Sequence, residues 1–95
     1  MNVISRKALR QFTVMHPEAV AAMDHWYRVA RKAGWKNLTE VRGDFRHADL
    51  VGRYTVFNVG GNRYRLVTRI DYHHQLVFVR NVLTHRECDK GKWKP

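Results

Sequence analysis

Behind Ser5 the apolar residues Ala8, Leu9, Phe12 and Met15 fall at helical spacing, with Arg6, Lys7 and Arg10 between them. Ser5 suits an N-cap, and Asn2-Val3-Ile4 ahead of it reads as a short edge strand. His16-Pro17 closes this helix and opens a second, because proline suits a first helical turn. Val20, Met23, Tyr27 and Ala30 continue the period, Gly34 is placed for a C-terminal cap, and Arg31 and Lys32 sit where cations suit the helix dipole. The pattern predicts a helical hairpin over roughly residues 5–33. Asn37-Leu38-Thr39-Glu40 has the form of a capping box for a short helical turn. Residues 42–52 show no period and read as a loop.

From Tyr54 the period changes to two. Tyr54 to Asn58 reads as a strand, Gly60-Gly61-Asn62 as a turn, and Arg63 to Tyr72 as a longer strand. Residues 71–75 turn the chain, Leu76 to Val82 is a third strand, and Thr84 to Lys90 starts a last helical turn before a basic tail. The fold class is α+β: an N-terminal helical hairpin packed on an antiparallel sheet of three strands, or four if Val3-Ile4 joins. The length of 95 residues predicts a single domain over 1–95.

Side chains alternate across a strand, so Tyr64, Leu66, Thr68 and Ile70 share one face and Arg63, Arg65, Val67, Arg69 and Asp71 the other. The first face meets the helices; the second meets water or a ligand. In the third strand both faces look half-buried, and Arg80 stands among apolar neighbours. An unpaired buried arginine is costly, so Arg80 pairs with Asp71 or Asp89 or opens into a cleft. Composition changes the weight of these arginines. The net charge of +10 fits a polyanionic partner. The plain alternative is a sheet face kept soluble by scattered Arg and Asp. The single cysteine, Cys88, rules out an internal disulfide and favours a reducing compartment. No stretch approaches the length of a membrane span and the first residues lack a signal-peptide core, so a cytoplasmic protein with no membrane partner is expected.

The string YTVFNVGGNRYRLVTRIDY followed by VFVRNVLTHRECDK resembles the HigB toxins of bacterial type II toxin–antitoxin systems, within the RelE-like group. Tyr54, Phe57-Asn58, Gly61-Asn62, Tyr64 to Val67, Val79-Arg80 and Thr84-His85 before Glu87 and Asp89 carry the resemblance. It implies a RelE-like domain whose sheet cradles RNA, mRNA cleavage often on the ribosome, and a helix-turn-helix antitoxin of the HigA kind that neutralises the toxin. Operon DNA would be met only through that antitoxin. Relatives tend to carry Tyr where this chain has Cys88, which removes a ring from that position.

Cleavage of RNA without a metal or other cofactor uses the ribose 2′-OH as nucleophile, an acid–base group, and cations for the charge on phosphorus. His85 follows the last strand and is the candidate acid or base. Arg65 and Arg80 are candidate phosphate clamps, with Lys90 a further catalytic cation and Asp89 an orienting group. Asn62, Arg63, Tyr64, Arg69 and Trp93 are candidate RNA contacts. His73-His74 reads as a solvated turn, His16 as part of the inter-helix joint, and Trp26 as core, with Trp35 open. His85 and Cys88 give too few ligands for a closed zinc site, and the eight acidic residues are scattered, so no metal is expected. The rivals to a toxin endoribonuclease are a non-catalytic RNA- or DNA-binding module and a small protein whose charge serves an acidic partner.

Overall fold

A computed structural model of the chain describes residues 1–4, 6–61, 63–89 and 91, with residues 88 and 89 described by backbone alone. The elements are β1 (Asn2–Ile4), α1 (Arg6–Met15), a 3-10 turn (Pro17–Ala19), α2 (Val20–Lys32), α3 (Leu38–Asp44), β2 (Asp49–Val51), β3 (Tyr54–Val59), β4 (Tyr64–Asp71), β5 (Leu76–Thr84) and α4 (His85–Asp89). The helical hairpin forms as the spacing predicts. Pro17 breaks it, and the joint is closed by the Ala19 N–H donating to His16 O at 2.9 Å and by His16 stacking on Phe12. The end of α2 differs from expectation. Ala33, already extended, supplies the C-cap, and Gly34 is not left-handed.

The sheet has five strands in the order β1-β5-β4-β3-β2, with β1 parallel to β5 and the other pairs antiparallel. The extra strand, β2, lies in the stretch that showed no period. Three residues are too few to display alternation, and Leu50 stays exposed there. The Asn37 side chain caps α3 by accepting from the Glu40 N–H at 3.0 Å. That helix runs on to Asp44, because Val41 is fully buried beneath it.

The helices cover one face of the sheet. Trp26, Phe57, Leu66 and Val77 are sealed there, with Tyr64 and Val59 at one end. Trp35 belongs to this core: its ring stacks on Phe57 and its Nε1–H donates to Asp44 Oδ2 at 2.8 Å. The opposite face is less open than alternation predicts. Tyr54, Val56 and Val67 form a second, smaller apolar cluster on it. Strict alternation also fails in β5, for a physical reason. The pairing slips between Val67 and Thr68, which leaves Arg80 as the extra residue of a β-bulge. Val77 and Val79 before the bulge and Val82 after it therefore all reach the helical core.

The β3–β4 turn depends on glycine at one point. Gly60 has φ +63°, and a Cβ there would lie 2.8 Å from Tyr64 Cδ2 and 3.2 Å from Ala22 Cβ. Gly61 has φ +60° with open space around it. Gly61→Ala should cost only the left-handed backbone term, about 1–2 kcal/mol. Gly60→Ala should cost that plus about 1–3 kcal/mol of overpacking. Urea unfolding of the two variants checks the difference.

Candidate active site

Alternation along β4 turns Arg65 away from the helices, yet only 8% of it is exposed. Its charge is held by short polar contacts. Nη1 donates to Tyr64 O at 3.2 Å and Nη2 lies 2.7 Å from His85 Nδ1. A guanidinium only donates, so Nδ1 accepts and a neutral His85 ring carries its hydrogen on Nε2. His85 is the first residue of α4 and is exposed. The local sequence fixes it there. Thr84 and Glu87 form a reciprocal capping box, the Thr84 N–H donating to Glu87 Oε1 at 3.0 Å and the Glu87 N–H to Thr84 Oγ1 at 3.2 Å. The His85 N–H also donates to Arg63 O at 2.9 Å, tying α4 to the start of β4. A buried, oriented cation therefore stands against an exposed imidazole. That arrangement can hold a phosphate oxygen and move a proton beside it.

The other arginines gather elsewhere on the same face. Val51 pairs with Tyr54, and Arg69 with Phe78. Continuing the Thr55–Thr68 pairing brings Tyr54 beside Arg69, so one row crosses the sheet. The Arg80 guanidinium lies over the Tyr54 ring at 5.2 Å and Arg53 approaches the same ring at 5.7 Å. These residues line an open cleft of about 930 Å³. Arg65 and Arg69 are four positions apart on β4, so the two places are separated by roughly 13 Å along the strand.

The structure thus brings Arg65 and His85 together and puts Arg69 and Arg80 in the cleft. Asp71 does not pair with Arg80; it accepts from the His74 N–H at 3.0 Å and pairs with His74 Nδ1 at 2.9 Å. Those bonds, the backbone one first, hold the Asp71 carboxyl below its ordinary range. Tyr64 is a correction. As an RNA contact it would have to face outward, but its parity on β4 turns it inward. There it meets Phe12 edge-on, and its hydroxyl lies 3.4 Å from Glu18 Oε1. Arg63 is exposed at the turn, where its carbonyl anchors His85. Asn62, Lys90 and Trp93, and the side chain of Asp89, lie outside the described residues. Sequence reasoning missed Arg53, Phe78 and Glu87. The Thr84-x-x-Glu87 spacing was a readable signal for the last; an aromatic two positions before Arg80 was one for Phe78. No helix among the described residues is long and apolar enough to cross a membrane.

A profile of HigB toxins, described as the RelE-like toxic component of a toxin–antitoxin system, matches residues 19–91, a span that holds both the Arg65–His85 pair and the cleft. The mRNA interferase HigB of Escherichia coli O6:H1 (strain CFT073) is 27% identical over 93 residues, covering 95% of this chain and 90% of its own length. The mRNA interferase toxin HigB of Escherichia coli K12 is 28% identical over 92 residues, 94% of this chain and 88% of its own. The mRNA interferase HigB of Shigella flexneri is 28% identical over the same extent.

Proposed function

The chain belongs to the HigB family of RelE-like toxins, and from that premise we propose that it is an mRNA-cleaving toxin whose reacting phosphate sits between Arg65 and His85. The observation that carries this placement is the 2.7 Å contact between Arg65 Nη2 and His85 Nδ1. A substrate phosphate competes for the guanidinium. As its non-bridging oxygens take the Arg65 N–H groups, Nδ1 is released and accepts the 2′-OH proton. O2′ bonds to phosphorus, the P–O5′ bond breaks, and the leaving O5′ takes a proton from a water molecule that His85 reprotonates, which restores the neutral ring. The products are a 2′,3′-cyclic phosphate and a 5′-hydroxyl. The charge growing on phosphorus is met by a cation that is already desolvated, where electrostatic stabilisation is strongest. Lys90 is proposed as a further cation and Asp89 as an orienting group. Other chain cations, among them Arg10, Arg31 and Lys36, are open to ribosomal RNA or to the antitoxin. We further propose a HigA-like antitoxin as the neutralising partner and the cytoplasm as the place of action.

The purified chain is incubated with mRNA, either alone with a chelator or on ribosomes in the magnesium they need. Cleavage in either condition that leaves cyclic-phosphate ends supports the reading. Salt-sensitive binding without cleavage in either condition overturns it in favour of a binding module. Growth arrest on expression, relieved by a co-expressed helix-turn-helix partner, tests the toxin role in cells.

A further inference from the structure

We infer that the cleft around Phe78, Arg69, Arg80 and Arg53 is a second, separate subsite for an unpaired nucleotide of the RNA strand; the inference rests on the nuclease reading and extends it. Phe78 projects from the helix-free face of the sheet with 38% of its surface exposed. More of this ring is left in water than of any other phenylalanine of the chain, so it gives up part of the burial that stabilises the others. Its surroundings are cationic. Arg69 is its direct cross-strand neighbour, and Arg80 stands two residues along on the same face. Among the described residues neither Arg69 nor Arg80 hydrogen-bonds to, or ion-pairs with, another side chain. By contrast, Arg28 holds Asp24 and Arg42 holds the Ala48 carbonyl.

The Tyr54 ring fixes the guanidiniums. It is 4% exposed and so cannot itself stack on a base, but Arg80 and Arg53 lie against it and are thereby oriented toward the cleft. The occupant must offer a flat apolar face and negative charge together. A nucleobase with its phosphate does both, and only an unpaired strand can turn its base out to stack on a ring. Asp71 borders the cleft, but both its oxygens are engaged by His74. Since Arg69 lies roughly 13 Å from Arg65 along the strand, one phosphate cannot occupy both places. The cleft therefore takes a neighbouring part of the chain whose scissile phosphate lies at His85.

The test measures fluorescence anisotropy of a short fluorescein-labelled oligoribonucleotide carrying 2′-O-methyl riboses, which binds but cannot react. Phe78→Ala should weaken binding about five- to one-hundred-fold, the range of one base–aromatic stack. Phe78→Trp should restore it and Phe78→Leu should not. Arg69→Gln should lower the slope of log affinity against log salt by about one phosphate contact. Thermal melting confirms that each variant is folded, and Phe78→Leu with Arg69→Gln carries the test if Phe78→Ala is not. Wild-type affinity in folded Phe78→Ala, or in Phe78→Leu together with an unchanged slope in Arg69→Gln, overturns the subsite. The nuclease reading is separated by the cleavage assay on the wild-type chain. Binding that depends on Phe78 without any cleavage would sink the reaction and keep the subsite; cleavage with no dependence on Phe78 would do the reverse.

Discussion

His85→Ala should lower the single-turnover rate of RNA cleavage by about 10²–10⁴-fold while the protein stays folded. The two halves of that expectation have different grounds. On the proposed reaction the rate falls because the group that would accept the 2′-OH proton is gone, and among the described residues no other histidine stands against Arg65. The fold survives, at some cost in stability as the buried Arg65 gives up its contact with Nδ1, because the His85 ring is exposed and the start of α4 is held by the Thr84–Glu87 capping box and the bond from the His85 N–H to Arg63 O, none of which uses the imidazole. His85→Gln refines the test, since a side-chain amide oxygen can still accept from Arg65 but cannot shuttle a proton. It should be as slow as the alanine variant, with a melting temperature at least as high. Arg65→Lys should also lose most of the rate, because an ammonium cannot reproduce the planar pair of donors. It should lose stability too, since the site is buried and Tyr64 O loses its guanidinium donor. Should His85→Gln cut RNA at the wild-type rate, the proton is moved by another group and the placement of the reacting phosphate is wrong.

The sequence revealed the parts of this chain that a periodic pattern can reveal. Ala8, Leu9, Phe12 and their counterparts in α2 repeat often enough to show a helix, and Tyr64, Leu66 and Ile70 alternate long enough to show which face is inside. Where a signal needs more residues than an element has, it was invisible: β2 has three, and its pairing is supplied by Tyr54, Thr55 and Val56 across the ladder. The bulge at Arg80 is a different case. One inserted residue shifts the parity of everything after it, so Val82 and Leu83 change faces relative to Val77 and Phe78. A local reading keeps counting in twos. For the same reason the arginines looked like one cluster. Arg65 and Arg69 do share a face, but what each one touches is decided across strands. The start of α4 brings His85 to Arg65, and Tyr54 on β3 gathers Arg80 and Arg53. The resemblance to HigB toxins pointed to both stretches of sequence; it carried no information on this division.

Phe57→Ala should remove most of the stability of the chain. Phe57 is completely buried on the inner face of β3, where its ring meets three others: Trp26 edge-on at 5.4 Å, Phe45 edge-on at 5.2 Å and Trp35 stacked at 5.9 Å. Those partners come from α2, from the end of α3 and from the segment between those helices, so this one ring joins helical layer to sheet. Truncating a buried phenylalanine costs about 3–5 kcal/mol through lost transfer energy and the cavity left behind. Each well-placed aromatic pair adds about 0.5–1.5 kcal/mol beyond area. A domain of this size has about 5–15 kcal/mol in all. At about 4–8 °C per kcal/mol the melting temperature should fall by tens of degrees. The rings around Phe57 are rigid and anchored, Trp35 by its bond to Asp44, so collapse into the cavity is limited and the cost should lie at the high end. Phe78→Ala supplies the internal comparison. The same side chain is removed from the same sheet, but from the helix-free face, where 38% of it already lies in water and no closed cavity is left behind, so the loss should be a small part of that at Phe57. Calorimetry of the two variants side by side therefore separates the ring that holds the fold together from the ring left open to a ligand; equal losses in melting temperature would show that Phe78 is a packing residue and that the cleft is part of the core.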